Sequence, residues 1–209
     1  MKTIEYSVPM RAKILYAPIG LMTSRNIYTM HHEYLLEEAG DFIANIYDVF
    51  KAMYDNKKSV IHCGNLGRHG KILNEYLEAK GFKTILHEQG KLKETIEMFL
   101  GGDAQFLLVV SAEYGVDFKD IPLQFILKVP YVAKDERMNA LEKSIGKKAF
   151  LEYYTMDALN RLVQQSGRVG RGANGFGITF ILDSKFSSLY SKYKDKLPGW
   201  FKERLVMEV

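Results

Sequence analysis

Hydrophobic and polar residues alternate along the chain with two different periods, one typical of buried strands and the other of amphipathic helices. Short apolar runs predict strands at residues 13–22, 59–63, 83–87, 106–110, 125–131 and 177–182. Between several of these runs the apolar residues recur every three or four positions, which is the spacing of one helix face. Uninterrupted runs such as 106–110 are typical of parallel strands that are covered on both faces. The pattern therefore predicts an α/β fold with a mostly parallel sheet and helices on both faces.

Acidic residues and glycines mark where the predicted helices begin and end. The helix with the clearest apolar spacing is predicted to start at Asp41, which is a suitable N-cap. Two more helices are predicted over 71–80 and 92–100, and a glycine follows each of them. Asp135 and Glu136 open a further helix, where acidic side chains favour the helix dipole. We therefore expect these two acids to be surface residues and not a Walker B motif, in which acidic residues directly follow an apolar strand.

The size and charge of the chain set limits on its class. It has 209 residues, of which 47% are hydrophobic and 12% aromatic. That composition suffices for one substantial core, so we expect a single domain over residues 1–209. The net charge of +4 and the isoelectric point near 8.9 permit a nucleic-acid partner but do not by themselves require one.

The cysteine content and the lengths of the apolar runs restrict the cellular setting. Cys63 is the only cysteine, which excludes a disulfide within the chain and any metal cluster held by cysteines alone. No apolar run reaches the length of a membrane span. We therefore expect a soluble, cytoplasmic protein with no membrane partner. Neighbouring side chains such as His31 and His32, or His62 and Cys63, point apart, so no metal site is predicted.

The most unusual chemistry lies in residues 164–171, which read QQSGRVGR. On a helix, Gln164, Arg168 and Arg171 fall at i, i+4 and i+7, so we predict one face that carries an amide and two guanidinium groups. Guanidinium groups suit phosphate oxygens, and Gly167 and Gly170 indicate a close approach of ligand or backbone. A phosphate site is favoured over a basic helix end that only satisfies the helix dipole.

A second glycine-rich stretch, GNLGRHGK at residues 64–71, follows the strand predicted at 59–63. It is not a Walker A phosphate loop, because five residues instead of four separate its outer glycines and Ile72 stands where a serine or threonine would hold magnesium. Asn65, Arg68 and the N–H groups of the loop are candidates for contacts with nucleic-acid phosphates. The alternative is a glycine turn with a solvated arginine.

A third stretch, SAEYGVDF at residues 111–118, follows the strand predicted at 106–110. It is a candidate site by position, because ligands of open α/β sheets collect at the carboxyl ends of strands. The G-x-G-x-x-G pattern at 170–175 ends a helix and leads into a strand. That order is the reverse of a dinucleotide-binding fingerprint, so we interpret the pattern as a helix stop and turn.

These stretches together resemble one enzyme family. The sixth motif of superfamily-2 helicases, Q-x-x-G-R-x-x-R, matches Gln164, Gly167, Arg168 and Arg171. The fifth motif, G-[IV]-D, matches Gly115 and Asp117, with Tyr114 where the family usually has glutamate. The loop at 64–71 stands at the position of the fourth motif. Over nearly its whole length the chain is similar to the second RecA-like domain of XPD/DinG-like DNA helicases, which implies a three-layer fold of the P-loop NTPase type.

The resemblance implies ATP hydrolysis coupled to movement along single-stranded DNA. ATP with Mg²⁺ would lie between two RecA-like domains, and an N-terminal domain, in cis or in trans, would supply the phosphate loop, the magnesium ligands and the acid that activates water. The implied catalytic groups of this chain are Gln164, Arg168 and Arg171. The implied nucleotide contacts are Gly115, Asp117, Gly167, Arg168 and Arg171, and the DNA contacts are Asn65, Arg68, Ser111 and Glu113. The family's iron–sulfur cluster belongs to the other half, and the chain alone is expected to be inactive.

Two other functions stay open on the sequence alone. One is a stand-alone, non-enzymatic nucleic-acid-binding or regulatory module derived from a helicase half, which Tyr114 favours. The other is a small nucleotide-binding α/β protein unrelated to helicases. A phosphate loop and an acidic strand end encoded upstream of this sequence would distinguish the helicase half from both.

Overall fold

A computed structural model describes residues 11–20, 33–53, 57–110, 118, 121–169 and 176–207. The strands in these ranges are β1 (Arg11–Gly20), β2 (Ser59–His62), β3 (Thr84–Leu86), β4 (Phe106–Val109), β5 (Leu123–Ile126), β6 (Phe176–Asp183) and β7 (Leu205–Val206). They form one sheet in the order β3-β4-β2-β5-β6-β1-β7. Each strand runs parallel to the neighbours with which it pairs.

Helices connect most of the strands. They are α1 (Glu33–Lys51), α2 (Lys71–Ala79), α3 (Leu92–Gly101), α4 (Glu136–Ile145), α5 (Lys147–Ser166), α6 (Lys185–Tyr193) and α7 (Gly199–Arg204). A π-helical turn (Leu66–Gly70) precedes α2, and a 3₁₀ turn (Lys194–Lys196) follows α6. Asp135 begins α4 as its N-cap and accepts a hydrogen bond from the Met138 N–H at 2.8 Å. The predicted helix start at this acid is confirmed.

Successive residues of the central strands point to opposite faces of the sheet, and each face has its own helical layer. On one face Ile61 and Phe125 pack with α1 and α2. On the other face Val60 packs with α3, and Ile126 and Ile181 pack with α5, α6 and α7. The predicted three-layer α/β architecture is therefore confirmed.

The start of α1 differs from the prediction. The helix begins at Glu33, eight residues before the predicted N-cap at Asp41. The earlier turns are stable because Leu35, Leu36 and Ala39 are buried in the core. Asp41 caps nothing. Its Oδ1 instead accepts hydrogen bonds from the Tyr76 hydroxyl at 2.9 Å and from Lys80 Nζ at 2.6 Å.

The strand predicted at 125–131 is also misplaced. The observed strand β5 is Leu123–Ile126, so it begins two residues earlier and ends well before Pro130. Gln124 lies outside the predicted strand and is polar, yet it is fully buried in the observed strand. Its amide is satisfied by partners from other elements, which the local sequence does not reveal.

Candidate functional site

The end of α5 carries the residues of the predicted phosphate site. Helix α5 ends at Ser166, and Gly167 is its C-cap with φ of −89° and ψ of 10°. Gln164 is exposed on the last helical turn, while Arg168 lies beyond the helix and is half-buried. The predicted helix face shared by Gln164 and Arg168 is therefore wrong. A turn, in which the Arg168 N–H donates to the Gln165 carbonyl at 3.0 Å, sets the position of this arginine.

An isolated parallel β-bridge joins the two motif segments. It pairs Phe118 with Val169, both of which are almost completely buried in one cluster with Val60. Phe118 follows Asp117 in the chain, and Val169 follows Arg168. The bridge therefore joins the residue directly after the fifth motif to Val169, which lies within the sixth motif.

Several predicted site residues lie outside the part of the chain that the structure describes. They are Ser111, Glu113, Gly115, Asp117 and Arg171. The roles assigned to them on the sequence stay predictions.

A buried network of side chains ties the end of α5 to the sheet. His62 Nε2 lies 3.0 Å from Gln124 Oε1, and because an amide oxygen only accepts, the histidine nitrogen is the donor. Gln124 Nε2 donates to the Gln165 carbonyl at 2.9 Å and to Thr179 Oγ1 at 2.7 Å. The Thr179 hydroxyl in turn donates to the Ser166 carbonyl at 3.2 Å. The last two carbonyls of α5 are thus held by side chains of β5 and β6.

The loop after β2 forms the π-helical turn Leu66–Gly70. Asn65 caps the π-helical turn, and its Oδ1 accepts a hydrogen bond from the Arg68 N–H at 3.1 Å. The Gly70 N–H donates to the Asn65 carbonyl at 2.8 Å. These two N–H groups are engaged within the turn and are not available to a phosphate. The half-buried Arg68 side chain and the amide nitrogen of the exposed Asn65 lie on the same turn, and the phosphate contacts predicted for them and for the other N–H groups of the loop stay predictions.

A cleft of about 510 Å³ opens beside this turn, at the carboxyl ends of β2 to β5. Among the described residues, those that line it include Cys63–Gly67, His87, Val110, Pro130–Ala133, Arg161 and Gln165. The first four sets follow four different parallel strands, whose carboxyl ends meet at one edge of the sheet. The last two come from α5, so the cleft brings the predicted loop residue Asn65 near the helix that carries the sixth motif.

Sequence reasoning missed three polar residues of this cleft. Gln165 is 3% exposed, and its Oε1 has no hydrogen-bond partner within the described ranges. Both ring nitrogens of His87 likewise have none there, and burial lowers the pKa of this histidine. Arg161 forms an ion pair with Asp157, at 2.8 Å between Nε and Oδ2. The sequence held no signal for Gln165, because two adjacent residues of a helix are only about 100° apart and can both lie on its polar face.

The described residues give no sign of a resident metal or of a membrane segment. Within them, no three histidine, cysteine, aspartate or glutamate side chains are grouped so that they could hold a metal ion. Burial raises the pKa of the Cys63 thiol to about 12, which keeps it protonated. In the same ranges, every helix is too short or too polar to cross a membrane.

Comparison with known proteins identifies relatives of the domain. A family model described as the helicase C-terminal domain matches residues 42–204. The ATP-dependent DNA helicase CHL1 of Candida albicans is 27% identical over 140 residues, which cover 65% of this chain and 16% of CHL1. The 3'-5' exonuclease DinG of Staphylococcus aureus is 29% identical over 127 residues, which cover 59% of this chain and 14% of DinG. The chain thus spans only a small part of either relative.

Solved structures support the same architecture. Dbp5 of S. cerevisiae bound to RNA and ADP BeF3 aligns with a TM-score of 0.57 at 14% identity, over 95% of this chain and 41% of Dbp5. The C-terminal domain of the DEAD-box protein Dbp5 aligns with a TM-score of 0.50 at 15% identity, over 90% of this chain and 88% of that domain. This likeness confirms the RecA-like fold that the sequence resemblance implied.

Proposed function

This chain belongs to the helicase C-terminal domain family, and from that premise we propose that it supplies arginines for ATP hydrolysis and part of a single-stranded DNA track to a two-domain DNA helicase. The β-bridge between Phe118 and Val169 carries the proposal. It pairs the residue that follows Asp117 in the chain with the residue that follows Arg168, and this pairing supports the proposal.

In this proposal the nucleotide is shared between two domains. ATP with Mg²⁺ would lie between this chain and an N-terminal RecA-like domain, attached in cis or acting in trans, which would supply the phosphate loop and the magnesium ligands. The half-buried Arg168 and its neighbour in the motif, Arg171, would stabilise charge that develops on the γ-phosphate. Gln164 would orient the reacting groups, and Gly115, Asp117 and Gly167 would contact the nucleotide. A guanidinium group fits this role because it keeps its charge at any physiological pH.

The DNA track would follow the cleft at the carboxyl ends of the strands. Asn65 and Arg68 lie on the turn beside the cleft, and Ser111 and Glu113 belong to the segment that follows β4. Backbone contacts of this kind fix the position of a nucleic acid without reading its sequence. The relative from Candida albicans is described as an ATP-dependent DNA helicase, which agrees with DNA as the substrate.

The test is ATP turnover by the domain joined to its N-terminal partner. We expect Arg171→Ala to lower the turnover number by about 10³-fold or more, the range typical of an arginine finger. Arg137→Ala is the matched control, because Arg137 is an exposed arginine on α4 and its removal changes the net charge equally. Normal turnover by a folded Arg171→Ala protein would remove the catalytic assignment.

A further inference from the structure

Gln124, the buried glutamine of β5, links several elements of the fold by hydrogen bonds. A buried amide is costly unless its hydrogen bonds are made. Gln124 is completely buried and makes three hydrogen bonds, with His62, Thr179 and the Gln165 carbonyl. Its partners lie on β2, β6 and α5, so one side chain joins three elements at one point.

The carbonyl that Gln124 holds is also the one that fixes Arg168. The Gln165 oxygen accepts one hydrogen bond from Gln124 Nε2 at 2.9 Å and another from the Arg168 N–H at 3.0 Å. Helices often close their last carbonyls with a left-handed glycine, but Gly167 has φ of −89° and lies outside that region. The side chains of Gln124 and Thr179 satisfy the last two carbonyls in its place, and so they determine how the chain leaves α5.

We propose that Gln124 is a positioning residue that sets the place of the Arg168 guanidinium, with His62 orienting its amide from behind. This inference rests on the proposed function, because it assumes that Arg168 acts on the nucleotide. The chemistry is indirect: the glutamine touches neither ATP nor DNA. Gln124 holds the Gln165 carbonyl in place, and this carbonyl accepts the hydrogen bond of the Arg168 N–H. The backbone of Arg168 is thereby fixed, so that its guanidinium group can contact the phosphate.

The experiment is a double-mutant cycle on ATP turnover in the two-domain protein. Gln124→Met keeps a similar length and volume but removes all three hydrogen bonds. We expect it to lower kcat by about 10- to 100-fold, as a displacement of about 1 Å can do, while KM for ATP changes less than about twofold. In a background that already carries Arg168→Ala, Gln124→Met should cause no further loss, because the group it positions is absent.

Controls separate positioning from general damage to the core. Phe125→Leu alters the next residue of the same strand, which is equally buried but faces the other side of the sheet. It should lower stability and leave kcat unchanged below the unfolding temperature. Should Gln124→Met fail to fold, Thr179→Val replaces one hydroxyl with a methyl group and gives the same test with a smaller expected loss.

The outcomes are distinct. Additive losses from Gln124→Met and Arg168→Ala, or a folded Gln124→Met protein with normal kcat, would overturn the positioning role. Normal turnover by Arg168→Ala itself would instead overturn the proposed function of the domain. A loss of kcat that disappears in the Arg168→Ala background supports both.

Discussion

At the scale of single residues, a buried histidine in the π-helical turn makes the stability of the domain depend on pH. His69 is 1% exposed, and its Nδ1 has no hydrogen-bond partner in the described part of the chain. Burial lowers its pKa to about 4, and the positive charges of Lys128 and Arg68 act in the same direction. The folded protein therefore keeps this imidazole neutral at pH values at which the unfolded chain protonates it.

The domain should lose stability as the pH falls because of this histidine. Between pH 6.5, the ordinary histidine pKa, and about 4 the unfolded state binds a proton that the folded state does not. The free energy of unfolding contributed by His69 therefore falls by about 2 kcal/mol from pH 7 to pH 5. We expect His69→Leu to remove this part of the loss, as measured by urea unfolding at both pH values. An equal loss in the wild type and in His69→Leu would contradict the assignment.

At the scale of the elements, the apolar pattern located most strands and helices, but it failed where their ends depend on distant polar partners. The predicted start at Asp41 was wrong because the helical turns before it bury their apolar residues in the core, while the Asp41 carboxylate binds Tyr76 and Lys80, which lie on or just after another helix. The predicted bounds of β5 were wrong because Gln124 finds partners on three other elements. Such partners are brought together only by folding, so local periodicity cannot reveal them.

The junction between α4 and α5 depends on a single glycine. Gly146 has φ of 79° and ψ of 154°, a backbone conformation that is nearly restricted to glycine and that costs other residues about 1–3 kcal/mol. Among the described residues, no heavy atom beyond those of its two chain neighbours lies within 4 Å of the place where a Cβ would stand, so the cost of Gly146→Ala comes from the backbone conformation. We expect this substitution to lower the free energy of unfolding by about 1 kcal/mol or more in urea titrations.

A matched control exists at the end of α3. Gly101 also has open space around the position of a Cβ, but it is not among the glycines with positive φ. Gly101→Ala should therefore raise the free energy of unfolding, by up to about 1 kcal/mol, because alanine favours helix. If the two alanine substitutions changed stability by the same amount, backbone strain at Gly146 would not be the cause.

At the scale of the whole molecule, the sequence predicted the fold but not the cleft. Alternating strands and helices, together with the helicase motifs, sufficed for the layered RecA-like architecture. The cleft is different because it collects the ends of four strands whose order in the sheet is β3-β4-β2-β5. His87 and Gln165 line the same cleft only because the strands are arranged in this order. His87 lies outside the motifs, and Gln165 occupies a position of the sixth motif that accepts any residue, so the sequence gave no cause to select them.

The charge of the whole domain leads to a final prediction about DNA. The net charge is only +4, so we expect the isolated chain to bind single-stranded DNA weakly and to lose affinity steeply as salt is added. For single strands, the logarithm of the affinity falls with the logarithm of the salt concentration by about 0.7 for each phosphate contacted.

If Arg68 contacts one phosphate beside the cleft, Arg68→Ala should reduce that slope by about 0.7 in fluorescence anisotropy titrations with an oligothymidylate. Arg137→Ala removes the same charge from an exposed position on α4 and should leave the slope unchanged. DNA releases counterions when its phosphates are bound by cationic side chains, so tight binding that is insensitive to salt would contradict a track of phosphate contacts at the strand ends. Equal slopes for both variants would show that Arg68 does not contact a phosphate.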